Sequence, residues 1–242
     1  MASLASVPCV LDFDDDGDLD ILIGNIEGRV ILIPNVGTAK KYSFHGQIPV
    51  MAAGVGLKVD GDAGPVARDW DGDGKIDLVV GASDGSVTWF RNTGKKGQPE
   101  YAAGVQILSK SKGGYGNPVA HGGAPEAPGN RTKVAIEDWN GDGKMDLLVG
   151  DIWYESAPAL KLTDEQIARR DELKKSQKEL NEEFSKIYSK LKDEWQKDAR
   201  AQEIQKLLQP IYQELSKLEP RSTPRGSVWL YLRENGKTAA GK

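Results

Sequence analysis

The sequence predicts a mainly β protein, made of repeated four-stranded antiparallel sheets with one antiparallel α-helical hairpin inserted. Three observations carry this expectation. An Asp-rich nonapeptide occurs three times. Each copy is followed by short apolar runs punctuated by Gly and Asn. Of the 28 glycines, none lies between Asp151 and Arg225, a stretch dominated by Glu, Lys and Gln.

The nonapeptides fix the order of the elements. They read Asp-Phe-Asp-Asp-Asp-Gly-Asp-Leu-Asp at 12–20, Asp-Trp-Asp-Gly-Asp-Gly-Lys-Ile-Asp at 69–77 and Asp-Trp-Asn-Gly-Asp-Gly-Lys-Met-Asp at 138–146. A short apolar run precedes each loop (Val7–Leu11, Pro65–Arg68, Lys133–Glu137) and another follows it (Ile21–Gly24, Leu78–Gly81, Leu147–Gly150). After the first two come the turns Glu27-Gly28 and Asp84-Gly85, then Val30–Ile33 and Val87–Phe90, closed by Asn35-Val36-Gly37 and Asn92-Thr93-Gly94. Runs this short, bounded by turn residues, read as strands joined by hairpins. A further strand is expected within Tyr42–Val50 and within Tyr101–Leu108, which makes each unit about four strands, the size of a propeller blade.

The third unit is interrupted. Its hairpin partner reappears as 226–233, where Gly226-Ser227-Val228 matches Gly85-Ser86-Val87. The expected organisation is therefore β repeats over 1–151 and 226–242, with a helical hairpin over 152–225. Thr163 and Gln166 form a capping box. Leu173, Leu180, Phe184, Ile187, Leu191 and Trp195 make one apolar stripe, and Ile204, Leu207, Leu208, Ile211, Leu215 and Leu218 a second. The turn is expected near 196–202, and Pro210 should kink the second helix.

Composition excludes several functions. The chain has 242 residues, with 32 Lys and Arg against 36 Asp and Glu, for a net charge of −4. A general nucleic-acid binder needs a basic excess that is missing here. No apolar run is long enough for a membrane span, and Met1–Leu4 shows no signal peptide. The single cysteine, Cys9, allows no intrachain disulfide and no cysteine-built zinc site.

The nonapeptides are candidate cation sites. Positions 1, 3 and 5 can converge, glycine at position 6 permits the sharp turn, and position 9 returns a carboxylate from the next strand. Crowded carboxylates repel unless a hard cation sits among them, and an oxygen-only donor set of this size suits Ca²⁺. The expected ligands are Asp12, Asp14, Asp16 and Asp20; Asp69, Asp71, Asp73 and Asp77; and Asp138, Asn140, Asp142 and Asp146. Backbone carbonyls of Asp18, Lys75 and Lys144 complete the shells. The third site has one carboxylate fewer and should bind most weakly. An EF-hand is excluded, because position 12 is Ile23, Val80 or Val149 on a strand rather than Glu before a helix.

These three copies resemble the FG-GAP/VCBS repeats of integrin α-subunit heads and many bacterial surface proteins. The resemblance covers the chain outside the helical insert. It implies a β-propeller with Ca²⁺ between the first two strands of each blade, placement that is extracellular, at the cell surface or periplasmic, and a role in adhesion or ligand recognition. Three repeats fall short of the four to eight blades of a propeller. Closure then requires two copies, a longer chain, or an open array capped by the helical arm or another subunit. The partner expected is a protein, a second copy or a glycan, with the arm as docking element. The competing reading is a polysaccharide-active enzyme of lyase or dehydratase type, for which Tyr115, His121 and Arg131 are the only candidates for base and charge neutraliser. Phe13, Trp70 and Trp139, at position 2 of the loops, are expected to pack between repeats.

Overall fold

The computed structural model describes residues 7–113, 117–219 and 221–233. The protein is mainly β, and the described residues form four antiparallel sheets and two α-helices. It divides into two compact units: a β unit (1–119, 123–154 and 224–242) and a helical unit (120–122 and 155–223).

In the β unit, β1 (Val7–Leu11), β2 (Asp20–Gly24), β3 (Val30–Ile33) and β4 (Ile48–Pro49) form the first sheet in sequence order. A small ribbon follows, β5 (Met51–Ala52) against β6 (Val55–Gly56). The second sheet is again in sequence order: β7 (Gly64–Arg68), β8 (Asp77–Gly81), β9 (Val87–Phe90) and β10 (Val105–Leu108). The third has three strands, β11 (Asn130–Glu137), β12 (Asp146–Glu155) and β13 (Thr223–Tyr231). The outer strands are shorter than the sequence suggests. Around Tyr42 and Tyr101 the described chain makes isolated bridges, such as Asn35 with Phe44 and Tyr101 with Asn92 and Ala52, before pairing properly.

Alternation of side chains along the strands sorts the apolar residues into two cores. One lies between the first and second sheets, where Leu22, Val30 and Leu32 meet Ala67, Leu78, Val80 and Phe90. The other lies between the second and third sheets, where Val79 and Val87 meet Ile136, Leu147 and Val149. The second sheet is thus covered on both faces, and every residue of β8 is buried. Glycine allows the close approach of neighbouring repeats. A Cβ at Gly24 would lie 2.2 Å from the carbonyl oxygen of Ala63, and one at Gly81 would lie 2.4 Å from that of Thr132.

In the helical unit, α1 (Asp164–Leu191) begins at the expected capping box, with the Thr163 hydroxyl accepting from the Gln166 N–H and the Gln166 side chain accepting from the Thr163 N–H. A 3₁₀ segment (Lys192–Lys197) turns the chain a few residues earlier than expected. α2 (Ala199–Leu218) is capped by Asp198 and runs on through Pro210. Leu173, Ala201, Ile204, Leu208 and Leu215 are buried, whereas Leu191 and Leu207, expected in the apolar stripes, are exposed. Two bidentate pairs, Arg169 with Glu214 and Arg200 with Glu183, join the start of each helix to the end of the other and show that the helices run antiparallel. These arginines hold Glu183 and Glu214 below the usual carboxylate range. No described helix is long and apolar enough to cross a membrane.

Candidate metal centre

Each Asp-rich loop joins the first two strands of a sheet. Its backbone folds around its own carboxylates, and the pattern repeats. The position-1 carboxylates close the loops. Asp12 accepts from the N–H groups of Asp16 and Gly17, Asp69 from Gly72, Asp73 and Gly74, and Asp138 from Gly141, Asp142 and Gly143. At position 5, Asp16, Asp73 and Asp142 each accept from the N–H two residues on. These turns require positive φ at position 6, where Gly17, Gly74 and Gly143 lie at +93°, +84° and +83°.

Position 9 has a second task that sequence reasoning missed. Asp20, Asp77 and Asp146 are buried, and each carboxylate ties its loop to the far end of the sheet's third strand. Asp20 accepts from Asn35 N–H at 2.7 Å and Phe13 N–H at 2.9 Å. Asp77 accepts from Asn92 N–H at 2.7 Å and Trp89 Nε1–H at 2.9 Å. Asp146 accepts from Arg233 N–H at 2.8 Å and Trp139 N–H at 3.0 Å. The Asn-x-Gly turn that follows Asp20 and Asp77 at constant spacing was the available signal.

The loops differ in how far their charge is already balanced. In the first, oxygens of Asp12, Asp14 and Asp16 lie within 4.8 Å of one another. Burial, then repulsion from Asp16 and Asp20, pushes the carboxyls of Asp14 and Asp18 above their ordinary range. Oδ1 of Asp18 is buried without a hydrogen-bond partner. In the second, Asp69, Asp71 and Asp77 converge within the same distance. Burial raises Asp77, and nearby Asp71 adds to it. Asp73 is not in that cluster, and the Arg91 guanidinium lies 2.6 Å from Asp71 and 3.1 Å from Asp73. The third forms no such acidic cluster among the described residues. Position 3 there is Asn140, and the Lys144 N–H, with the Lys144 ammonium 3.5 Å away, holds Asp142 low. Loops 1 and 2 can therefore hold a metal ion. Their donors are all oxygen, and crowding with an orphaned oxygen in loop 1 fits a hard cation.

Residues 69–149 match the FG-GAP-like repeat. That segment is similar to an FG-GAP-like repeat. The match runs from the first residue of the second loop into β12, and the nonapeptide at 12–20 adds a further copy ahead of it. No curated protein matches the chain.

The three residues of the enzyme reading fall in different parts of the chain. Tyr115 lies outside the described residues. His121 belongs to the helical unit, where its Nδ1 is 3.1 Å from Glu155. Arg131 belongs to the β unit and donates from Nε to the buried Asp62 carboxylate at 2.9 Å. His45 is exposed beside Ser43. Among the position-2 aromatics, Phe13 packs against Tyr101 and Trp70 lies in the second core, but Trp139 is 62% exposed.

Proposed function

We propose that the protein is a calcium-stabilised binding and assembly module acting outside the cytoplasm, at a cell surface or in a periplasm. Its sheets serve as blades of a β-propeller-type assembly. Calcium sits in the three loops on the side chains of Asp12, Asp14, Asp16 and Asp20; Asp69, Asp71, Asp73 and Asp77; and Asp138, Asn140, Asp142 and Asp146. The backbone carbonyls of Asp18, Lys75 and Lys144 complete the shells. The observation that carries the reading is the convergence of carboxylate oxygens in loops 1 and 2 within 4.8 Å.

The ion neutralises like charges that otherwise oppose closure of each loop, so it acts on stability rather than on a reaction. The chain's own residues prepare for it. Position 1 shapes the loop and position 9 locks that loop to its sheet. The helical unit is the proposed docking element for a protein or glycan, since Leu160, Tyr188, Leu207 and Tyr212 offer it exposed apolar and aromatic surface. Thermal unfolding in calcium and in EDTA tests the metal reading. Calcium should raise the melting temperature, and identical curves in both would refute it. Calorimetric titration should show two stronger sites and one weaker.

A further inference from the structure

We propose that the β unit associates head to tail with a second copy of this chain, the outer face of the third sheet packing on the outer face of the first. The inference rests on the assembly reading above and deepens it by naming the two faces and the occupant.

The repeat offsets identify equivalent positions. Asp12 to Asp69 is 57 residues, Asp69 to Asp138 is 69, and Asn92 to Arg233, which donate to equivalent aspartates, is 141. Leu22 and Val30 of the first sheet are buried against the second, and their equivalents Val79 and Val87 are buried against the third. Their equivalents in the third sheet are Leu148, half-buried, and Val228, which is 75% exposed. The position-2 aromatics follow the same rule: Phe13 and Trp70 are covered within the chain and Trp139 is not.

The backbone repeats this asymmetry. Gly24 and Gly81 each seat a carbonyl of the following repeat at 2.2 and 2.4 Å from where a Cβ would be, but at the equivalent Gly150 the nearest atom is 3.7 Å away. Gly28 and Gly85 seat carbonyls of Val59 and Gly129, both at 2.2 Å, whereas at Gly226 the nearest atom is 3.4 Å away. Over β12 and β13 the third sheet thus repeats the surface that the first two use, and among the described residues no further sheet packs on it.

The opposite face is unfilled at the other end. Ala67, Leu78 and Val80 are buried against the first sheet, and Ile136, Leu147 and Val149 against the second. The first-sheet equivalents are Val10, 57% exposed, with Ile21 and Ile23 half-buried. The two end faces are therefore the two halves of an interface the chain already makes twice, and one copy supplies what the next lacks. Such a heterologous contact either closes into a ring or propagates. Two copies supply six sheets of three or four strands, within the four to eight blades of closed propellers.

The test uses the full chain with Val10→Asp and Val228→Asp, each on an exposed end-face side chain. Light scattering across a dilution series should show a species of two chains, or a longer head-to-tail array, for the unsubstituted protein. Each variant alone should be monomeric. Mixing the two should restore a one-to-one pair, because each retains one intact face. A well-folded monomer at every concentration overturns the proposal. So does pairing that survives in either variant alone, which would mean a symmetric contact. Calcium-dependent melting of the monomeric variants reports on the metal reading separately, so either idea can fail without the other.

Discussion

Asp77→Ala separates the structural task of a loop carboxylate from its proposed metal task. Asp77 is 0% exposed and accepts from the Asn92 N–H and the Trp89 Nε1–H. Truncation leaves both donors without an acceptor, at roughly 1–3 kcal/mol for each buried orphan. Two terms reduce the sum. Trp89 is half-buried, so water reaches part of its ring, and burial already disfavours the ionised carboxylate. A net loss of about 2–4 kcal/mol is expected in EDTA, before any ion is considered. Asp73→Ala is the control. Asp73 sits in the same loop but holds only the Lys75 N–H and ion pairs with Arg91 and Lys75, so its loss in EDTA should stay near 0.5 kcal/mol. In saturating calcium the control should lose part of the roughly 2.7 kcal/mol that an ion at about 100-fold excess over Kd contributes. Urea unfolding followed by tryptophan fluorescence, with and without calcium, measures all four numbers. Equal losses for the two variants in EDTA would refute the assignment of Asp77 as the tie between loop and strand.

The other predictions concern separate features. Arg91→Gln removes the guanidinium that pairs with Asp71 and Asp73, so the second loop should bind terbium more tightly, read by luminescence sensitised through the adjacent Trp70; unchanged or weaker binding contradicts a competing role for Arg91. Gly81→Ala forces a methyl group onto the Thr132 carbonyl and should cost about 1–3 kcal/mol, while Gly150→Ala, whose methyl group meets the Lys133 carbonyl at an ordinary 3.7 Å, should stay within about 0.5 kcal/mol in the monomer. Glu183 and Glu214 have depressed folded-state values, so their contribution is present above the unfolded glutamate range and is lost as pH falls through the folded values. Helical circular dichroism should therefore weaken on acidification, and Arg169→Gln with Arg200→Gln should flatten that dependence.

The local features of the fold were legible because their causes are local. The position-9 aspartates open β2, β8 and β12 where the apolar runs begin, and Thr163 with Gln166 marks the start of α1. What the sequence hid depends on neighbours. Phe13, Trp70 and Trp139 share one loop position and one chemistry, yet among the described residues only the first two pack on a neighbouring sheet. Leu207 falls in an apolar stripe but lies on the side of α2 that α1 leaves uncovered. Arg91 reaches Asp71 and Asp73 across a hairpin, and nothing in the spacing announces it. The acid loops themselves were readable as clusters, but Asn140 and Lys144 change the balance in the third through specific contacts that needed coordinates.

The place where the helices enter has its own implication. β12 and β13 are antiparallel neighbours, so the polypeptide that departs at Glu155 comes back at Thr223 beside its point of exit. Since closing a loop costs only logarithmically more as it lengthens, that hairpin tip is a natural socket. Shortening, extending or exchanging the cargo it carries should leave the β architecture intact, which makes it the position where related chains can diversify most cheaply.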